Sequence, residues 1–230
     1  MAIAILGAMP EEIEPLLERV ENITRVDYAN NRYYKASYKG SDIVIAYSKI
    51  GCAFSTLSAT ILIEHFKCDK LLFSGVAGAI NQDYNIGDMI VAKRLCKHDL
   101  DITAFGHPPG FVPEGKVFIH SDSKLVEVAN RVALKNGIDL KEATVATGDQ
   151  FVSSNETKEK ISETFNADAI EMEGYPVALV CDALNVPFVV LRAISDSANS
   201  DASFDFDKFL EESAKISANF ILDMVEELGK

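Results

Sequence analysis

Short apolar runs alternate along this chain with longer stretches in which apolar residues recur at helical spacing. The runs are rich in Ile, Val, Leu or Ala and end in glycine or in charged residues, which is typical of buried strands. Strands that alternate with helices favour an α/β protein with helices on both faces of the sheet. We therefore predict a three-layer α/β/α sandwich with a central mixed twisted sheet. The predicted strands are 2–7, 32–39, 42–48, 70–75, 87–95, 142–148, 167–171 and 187–194, and the predicted helices are 10–20, 52–66, 122–136, 156–165, 174–184 and about 205–228.

The composition limits the classes of protein to which the chain can belong. Its 230 residues, 48% of them hydrophobic, suffice for one buried core, and we predict a single domain over residues 1–230. A formal net charge of −13 disfavours binding to nucleic acid or to anionic membrane surfaces. The four cysteines form no CxxC pair, and no apolar run approaches the ~20 residues that cross a bilayer. We therefore expect a cytoplasmic protein with reduced thiols.

Two carboxylates stand at the end of one predicted strand. Glu171 and Glu173 flank Met172, and if strand 167–171 continues through them, both carboxylates point to one face of the sheet. Because ligands of α/β proteins bind at the carboxyl ends of strands, these residues predict a pocket. A carboxylate there can accept hydrogen bonds from a vicinal diol, and the alternative is an acidic pair that begins the next helix.

A second strand end carries Arg192, Ser195 and Asp196. Arg192 interrupts a buried strand, and a buried guanidinium needs carboxylate partners, for which Glu12 and Glu173 are the candidates. Asp196 is a candidate proton donor, and its alternative role is that of a turn or helix cap. Together the two strand ends predict a pocket for a polyhydroxylated small molecule.

Glu12 and the segment Gly75–Gly78 are further candidates for this pocket. Glu12 follows strand 2–7 and could activate water as a general base, although glutamates are also common in first helical turns. The two glycines of Gly75–Gly78 would let backbone approach a ligand closely, or would make a tight turn. The segment lacks the pattern of a phosphate-binding loop, and no dinucleotide fingerprint follows strand 2–7.

The four histidines have no metal-ligand spacing, and we predict neither a metal nor a cofactor. The proline- and glycine-rich stretch 98–116 reads as a long loop, which in a compact domain is usually functional.

Six segments, taken in order along nearly the whole chain, resemble the 5′-methylthioadenosine/S-adenosylhomocysteine nucleosidase family of the nucleoside phosphorylase superfamily. They are ILGAMPEE (5–12), SKIG (48–51), GVAG (75–78), ATGDQF (146–151), AIEMEG (169–174) and RAISD (192–196). The resemblance implies hydrolysis of an N-glycosidic bond, with a small-molecule nucleoside and water as the only partners in the reaction. It also implies a homodimer that needs no cofactor.

The resemblance further implies a role for individual residues. Asp196, held by Ser195, would protonate N7 of the leaving adenine, and Glu12 would orient and deprotonate the attacking water. Glu173 would bind the ribose hydroxyls and contact Arg192. The other implied substrate contacts are Met172 at the ribose, Phe151 and the main chain of Val152 at the base, Met9, Ile50 and Phe206 at the 5′ substituent, and Val76, Ala77, Gly78 and Glu171 elsewhere in the pocket. Phe105 and Pro113 of loop 98–116 would close the pocket of the partner subunit.

One position departs from the family pattern. Residue 76 is Val, where family members often carry Ser near the water. The subset with this departure is associated with cleavage of 6-amino-6-deoxyfutalosine, and we expect that activity, together with cleavage of 5′-deoxyadenosine, beside the thioadenosine reaction.

Three alternative functions remain open at this point. A phosphate-dependent purine nucleoside phosphorylase of the same fold would need arginines for a phosphate dianion, whereas Phe73 and Val76 occupy the corresponding places here. A non-catalytic nucleoside-binding protein would not need Asp196 or Glu12. A glycosidase with two carboxylates would fit those two residues but not the Phe-rich loops.

Overall fold

The computed structural model describes residues 2–113, 115–196 and 202–230, except for the side chains of residues 202–205, 207 and 208. Within these ranges a mixed sheet of eleven strands lies between layers of helices. The strands are β1 (Ile3–Gly7), β2 (Glu21–Tyr28), β3 (Asn31–Tyr38), β4 (Ser41–Tyr47), β5 (Lys70–Phe73), β6 (Val76–Ala79), β7 (Met89–Lys97), β8 (Phe118–His120), β9 (Lys141–Thr147), β10 (Ala169–Glu171) and β11 (Phe188–Asp196). The helices are α1 (Pro10–Leu17), α2 (Cys52–Glu64), α3 (Ser123–Asn136), α4 (Asn155–Phe165), α5 (Gly174–Leu184) and α6 (Ala202–Leu228).

The sheet has an open part and a closed part, and β11 belongs to both. Its strand order is β2-β3-β4-β1-β5-β11-β6-β10-β9-β7-β8. In the open part β4, β1, β5 and β11 run parallel. In the closed part β7 also pairs antiparallel with β11, which joins β11, β6, β10, β9 and β7 into a ring. All nine residues of β11 are buried, because strands border it on both sides and helices cover its faces.

The helical layers follow from the alternation of side chains along the strands. In β1, Ile3 and Ile5 face one side of the sheet, and Ala4 and Leu6 face the other. The first side packs against α1, α3 and α6, and the second against α2 and α5. The predicted α/β/α sandwich is therefore confirmed, while the closure of one part of its sheet into a ring is a feature that the sequence patterns did not predict.

Three strands escaped prediction, each for a local reason. Strand β2 is exposed along nearly its whole length, so its sequence ENITRVDY lacks the pattern of a buried strand. Strand β6 has only four residues, with the sequence VAGA, and β8 has only three. The interpretation of Gly75–Gly78 as a tight turn is wrong, because Val76–Ala79 forms β6 inside the ring.

Three other expectations concern the long loop, the cysteines and the helices. Loop 98–116 contains only a short 3-10 turn at Thr103–Phe105 among its described residues. The four cysteines are buried and form no disulfides. Across the described ranges, none of the helices combines the length and the apolar character needed to cross a bilayer.

Candidate active site

A cavity of about 300 Å³ lies along β6 and at the carboxyl ends of β1, β10 and β11. The two predicted strand ends therefore do meet. All of the predicted site residues line this cavity except Arg192, Phe105 and Pro113. The lining residues are Ala8, Met9, Glu12, Ile50, Val76, Ala77, Gly78, Gln150, Phe151, Val152, Ile170, Glu171, Met172, Glu173, Ser195, Asp196 and Phe206.

Glu12 is held by the backbone at one end of the cavity. Its Oε2 accepts hydrogen bonds from the N–H groups of Ala8 and Met9, and its Oε1 accepts one from Val76 at 3.0 Å. The residue is 3% exposed, and burial raises the pKa of Glu12 above its ordinary value despite the opposing effects of Arg192 and of these N–H groups. A carboxylate with a raised pKa and a lone pair left on Oε1 can accept a proton from water, as a general base does.

Asp196 ends β11 at the opposite end of β6. Its Oδ1 accepts a hydrogen bond from the Ser195 hydroxyl at 3.0 Å, and its Oδ2 lies 3.8 Å from Nζ of Lys158. Asp196 pairs with Gly78 in the ladder between β11 and β6, and a Cβ on Gly78 would lie 2.6 Å from Oδ2. The absence of a side chain on Gly78 therefore lets the carboxylate lie directly against β6.

Glu173 lines the same cavity and lies at the start of a helix. It is the N-cap of α5, two residues beyond the end of β10, and its Oε1 accepts a hydrogen bond from the Gly51 N–H at 2.7 Å. Burial, and then the negative charge of Glu171, raise the pKa of Glu173 to about 8. The expectation that Glu171 and Glu173 share one face of a continuing strand is wrong, because β10 ends at Glu171.

Arg192 lies beneath the cavity, where it binds Glu171. Its Nη2 is 2.9 Å from Oε2 of Glu171, and its guanidinium stacks on the ring of Phe73 at 4.1 Å. The expected contact of Arg192 with Glu173 is thus corrected to an ion pair with Glu171. Because Glu171 also accepts hydrogen bonds from the N–H groups of Glu173 and Gly174, this pair fixes the start of α5 and the direction of the Glu173 side chain.

Apolar and aromatic side chains form the rest of the walls. Phe151 and Phe206 meet edge to face with ring centroids 5.7 Å apart, and Phe151 is 46% exposed at the mouth. Ile50, at 56% exposure, stands at the mouth as well. Such walls suit a heterocycle and an apolar substituent.

Phe105 and Pro113 do not line the cavity of their own chain. Both are exposed, Phe105 to 80%, which is the second most exposed large hydrophobic side chain after Leu134 among the described residues. Their expected position in the pocket of a partner subunit stays a prediction.

Sequence reasoning missed three wall residues and two supporting groups. The wall residues are Ala8, Gln150 and Ile170, each of which directly adjoins or falls within a segment that was recognised. The supporting groups are the N–H of Gly51, also within such a segment, and the ammonium of Lys158. The sequence pattern does not predict a buried Lys158, because its neighbours in α4 are polar and a lysine among polar residues is expected to be exposed to solvent. In the described part of the chain, no group of three or more His, Cys, Asp or Glu side chains is arranged to hold a metal ion.

The fold and the cavity define an α/β enzyme whose site combines four buried carboxylates with apolar walls. Comparison with protein families makes the class specific. The model of the phosphorylase superfamily matches residues 2–226, and the chain belongs to this superfamily.

Individual relatives within the superfamily are similar over their whole length. An aminodeoxyfutalosine nucleosidase of Campylobacter jejuni is 57% identical over 228 residues, which cover 99% of this chain and 100% of that protein. A 5′-methylthioadenosine/S-adenosylhomocysteine nucleosidase of Staphylococcus aureus is 36% identical, with 98% and 100% covered. The crystal structure of the Helicobacter pylori 5′-methylthioadenosine/S-adenosylhomocysteine nucleosidase with butyl-thio-DADMe-Immucillin-A superposes with a TM-score of 0.96 at 47% identity, covering 99% of this chain and 98% of that one.

Proposed function

We propose that this chain hydrolyses the N-glycosidic bond of adenine nucleosides that are modified at the 5′ position, and so releases adenine. The proposed substrates are 6-amino-6-deoxyfutalosine, 5′-methylthioadenosine, S-adenosylhomocysteine and 5′-deoxyadenosine. The observation that carries the proposal is that Glu12, Glu173 and Asp196 share one cavity whose other walls are mainly apolar.

Each carboxylate has a distinct task in the proposed reaction. The leaving purine gains electron density as the bond from C1′ breaks, and Asp196 donates a proton to its N7. The sugar gains positive charge in an oxocarbenium-like transition state, which the carboxylates stabilise. Glu12 takes a proton from the water that attacks C1′, and Glu173 accepts hydrogen bonds from the ribose hydroxyls.

The apolar walls supply the binding of the two ends of the substrate. Phe151 stacks on the base, and the main chain of Val152 recognises its edge. Met9, Ile50 and Phe206 surround the 5′ substituent, and the Met172 side chain lies along the ribose.

The nucleophile is water and not phosphate. A phosphate dianion is usually bound by arginine or lysine, and neither residue occurs among the described lining residues of the cavity. Val76 presents an apolar side chain beside Glu12, and the charge of an ionised Glu12 would repel an anion but not water. These features favour hydrolysis over the phosphorylase reaction.

The substrate range follows the named relatives. Identity is 57% with the aminodeoxyfutalosine nucleosidase and 36% with the Staphylococcus aureus methylthioadenosine/S-adenosylhomocysteine enzyme. We therefore include 6-amino-6-deoxyfutalosine as a substrate and connect it with Val76, which leaves the water site without a hydroxyl side chain.

The active form is proposed to be a homodimer in which loop 98–116 completes the cavity of the other subunit. Two exposed apolar side chains support this, Phe105 in the loop and Ile50 at the mouth of the cavity, because exposed apolar surface often marks a contact site. Sedimentation analysis should give a dimer, and Phe105→Ala should raise KM while the dimer persists. A fully active monomer would contradict the proposal.

The experiment that tests the function measures adenine release from methylthioadenosine, S-adenosylhomocysteine and aminodeoxyfutalosine in phosphate-free buffer. We expect release from all three, free sugar as the second product, and no acceleration on addition of phosphate. Phosphate-dependent turnover with a sugar 1-phosphate product would overturn the hydrolase assignment.

A further inference from the structure

A lysine lies buried behind the acid end of the cavity. Lys158, in the first turns of α4, is only 3% exposed, and its Nζ is 3.8 Å from Oδ2 of Asp196. The two side chains are 4% and 5% exposed. Lys158 does not line the cavity, so its ammonium faces the carboxylate from behind.

A buried pair of lysine and aspartate is unusual for a helix as polar as α4. The rest of α4 is strongly polar, with only Ile161 and Phe165 buried beside Lys158. Removing an ammonium from water is unfavourable, and a buried ion pair gains little net stability over apolar residues of similar size. A buried charge pair in a cleft is, by contrast, a frequent feature of functional sites.

The surroundings of Asp196 explain what the ammonium can do there. The Ser195 hydroxyl donates a hydrogen bond to Oδ1, while Oδ2 lies 3.8 Å from Nζ of Lys158 and against Gly78, where a Cβ would come within 2.6 Å of it. The two oxygens are therefore held by different groups, and the plane of the carboxyl group is fixed. As Asp196 gives up its proton, negative charge develops on these oxygens within reach of a fixed positive charge.

We propose that Lys158 is a positioning residue for Asp196, orienting its carboxyl group and stabilising the carboxylate that forms when the proton passes to the leaving base. This inference rests on the proposed function of Asp196 as the acid. In the step, the proton moves from Asp196 to N7 as the C1′–N9 bond breaks. Lys158 keeps its own protons and ends opposite the ionised carboxylate.

The position of Lys158 also connects the acid with base recognition. The segment that precedes α4 carries Phe151 and Val152, which line the base end of the cavity. Ser154 caps the helix, and Lys158 follows one turn later. One continuous segment thus contacts both the base and the group that protonates it.

The test compares Lys158→Met, which keeps the length of the side chain but removes its charge, with Lys160→Met on the exposed side of the same helix. With methylthioadenosine we expect Lys158→Met to lower kcat by about 10- to 100-fold, part of what a general acid contributes, with KM changed less than about threefold. Lys158→Arg should recover part of the loss. Lys160→Met should behave as the wild type.

A second substrate distinguishes an effect on the position of Asp196 from a general disruption of the active site. A 4-nitrophenyl 5-methylthioriboside has a leaving group that departs without protonation, so Lys158→Met should hydrolyse it at nearly the wild-type rate. Equal losses on both substrates, a lowered Tm that accounts for the loss, or an unchanged kcat for methylthioadenosine would each overturn the proposal. If Lys158→Met does not fold, Lys158→Gln is measured in the same way.

Asp196→Asn distinguishes failure of this inference from failure of the proposed function. If Asp196→Asn loses methylthioadenosine cleavage and Lys158→Met keeps it, only the inference on Lys158 is wrong. If Asp196→Asn keeps near-normal turnover, Asp196 is not the acid, and both proposals fall.

Discussion

The two ends of strand β6 hold the two reacting carboxylates in different ways. At one end, N–H groups of Ala8, Met9 and Val76 bind Glu12. At the other end, a hydroxyl and an ammonium, both from side chains, contact Asp196. Each carboxylate belongs to a residue that is 3% exposed, so burial does not distinguish them.

The difference shows which parts of the chain fix each group. Two of the three N–H donors to Glu12 lie within four residues of it, at the start of its own helix. The placement of Asp196 depends on Ser195 in β11, Gly78 in β6 and Lys158 in α4. Local backbone fixes the proposed base, whereas side chains from separate elements fix the proposed acid, and substitutions can therefore adjust the acid more easily.

The largest effect is expected at the backbone-held end. Glu12→Gln keeps the shape of the side chain but removes its ability to accept a proton, and we expect kcat to fall by about 10²- to 10⁴-fold. The loss should be similar for methylthioadenosine and for the 4-nitrophenyl riboside, because both need an activated water. Steady-state kinetics on the two substrates measures it.

Glu11→Gln is the matched control, since Glu11 is the adjacent, exposed residue of the same helical turn. It should leave the kinetics unchanged. If Glu12→Gln lowers kcat for the purine substrate alone, Glu12 acts on the leaving group. The proposed difference in role between Glu12 and Asp196 would then be wrong.

A smaller effect is expected from the glycines next to each carboxylate. A Cβ would lie 2.6 Å from Oε1 of Glu12 at Gly75, and 2.6 Å from Oδ2 of Asp196 at Gly78. Either alanine must therefore displace the neighbouring carboxylate, and misplacement of a reacting group by about 1 Å lowers rates by about 100-fold. Gly75→Ala should slow both substrates, while Gly78→Ala should slow methylthioadenosine selectively.

Each glycine variant serves as the control for the other, because Gly78 lies in β6 and Gly75 directly precedes this short strand. Kinetics on the two substrates, with Tm measured in parallel, gives the result. If both variants slow the two substrates to the same extent, distortion of β6 as a whole explains the loss, and the separate contacts do not.

Much of the site was predictable because its residues adjoin strands that a clear apolar pattern identifies in the sequence. Strand β1 is a continuous apolar run and β11 begins with one, and the rule that ligands bind at strand ends brought Glu12 and Asp196 to one edge of the sheet. The resemblance of six segments supplied the individual roles. The order of the layers was also predictable from the sequence, since a chain of alternating strands and helices can adopt only a few topologies.

The unpredicted features depend on pairings between distant segments or on weak local patterns. Closure of the ring needs β7 to pair with β11, and no local pattern encodes such a pairing. The partner of Arg192 was misassigned, because the residue at which β10 ends decides whether Glu171 or Glu173 turns toward the guanidinium. The burial of Lys158 is likewise set by the packing of α4 against the sheet at β9, and not by its own neighbours in sequence.

The smallest expected effect is on stability, and it concerns Glu173, the third carboxylate of the proposed reaction. Its pKa is about 8 in the folded protein against an ordinary value of 4.5, because burial and the charge of Glu171 favour the protonated form. Between these two values the folded state holds a proton that the unfolded state has released. The resulting stabilisation is complete below about pH 4.5 and is lost as the pH rises through about 8.

Glu173→Gln removes this titration while its amide oxygen can still accept the hydrogen bond from Gly51. Relative to this variant, the wild type should lose free energy of unfolding between about pH 5 and about pH 8, by at most about 1.4 kcal/mol per pH unit. Urea unfolding at several pH values measures the two slopes, with the exposed Glu127→Gln as control. Parallel slopes would mean that Glu173 is already ionised in the folded protein, so that its carboxylate would meet the ribose hydroxyls without first losing a proton.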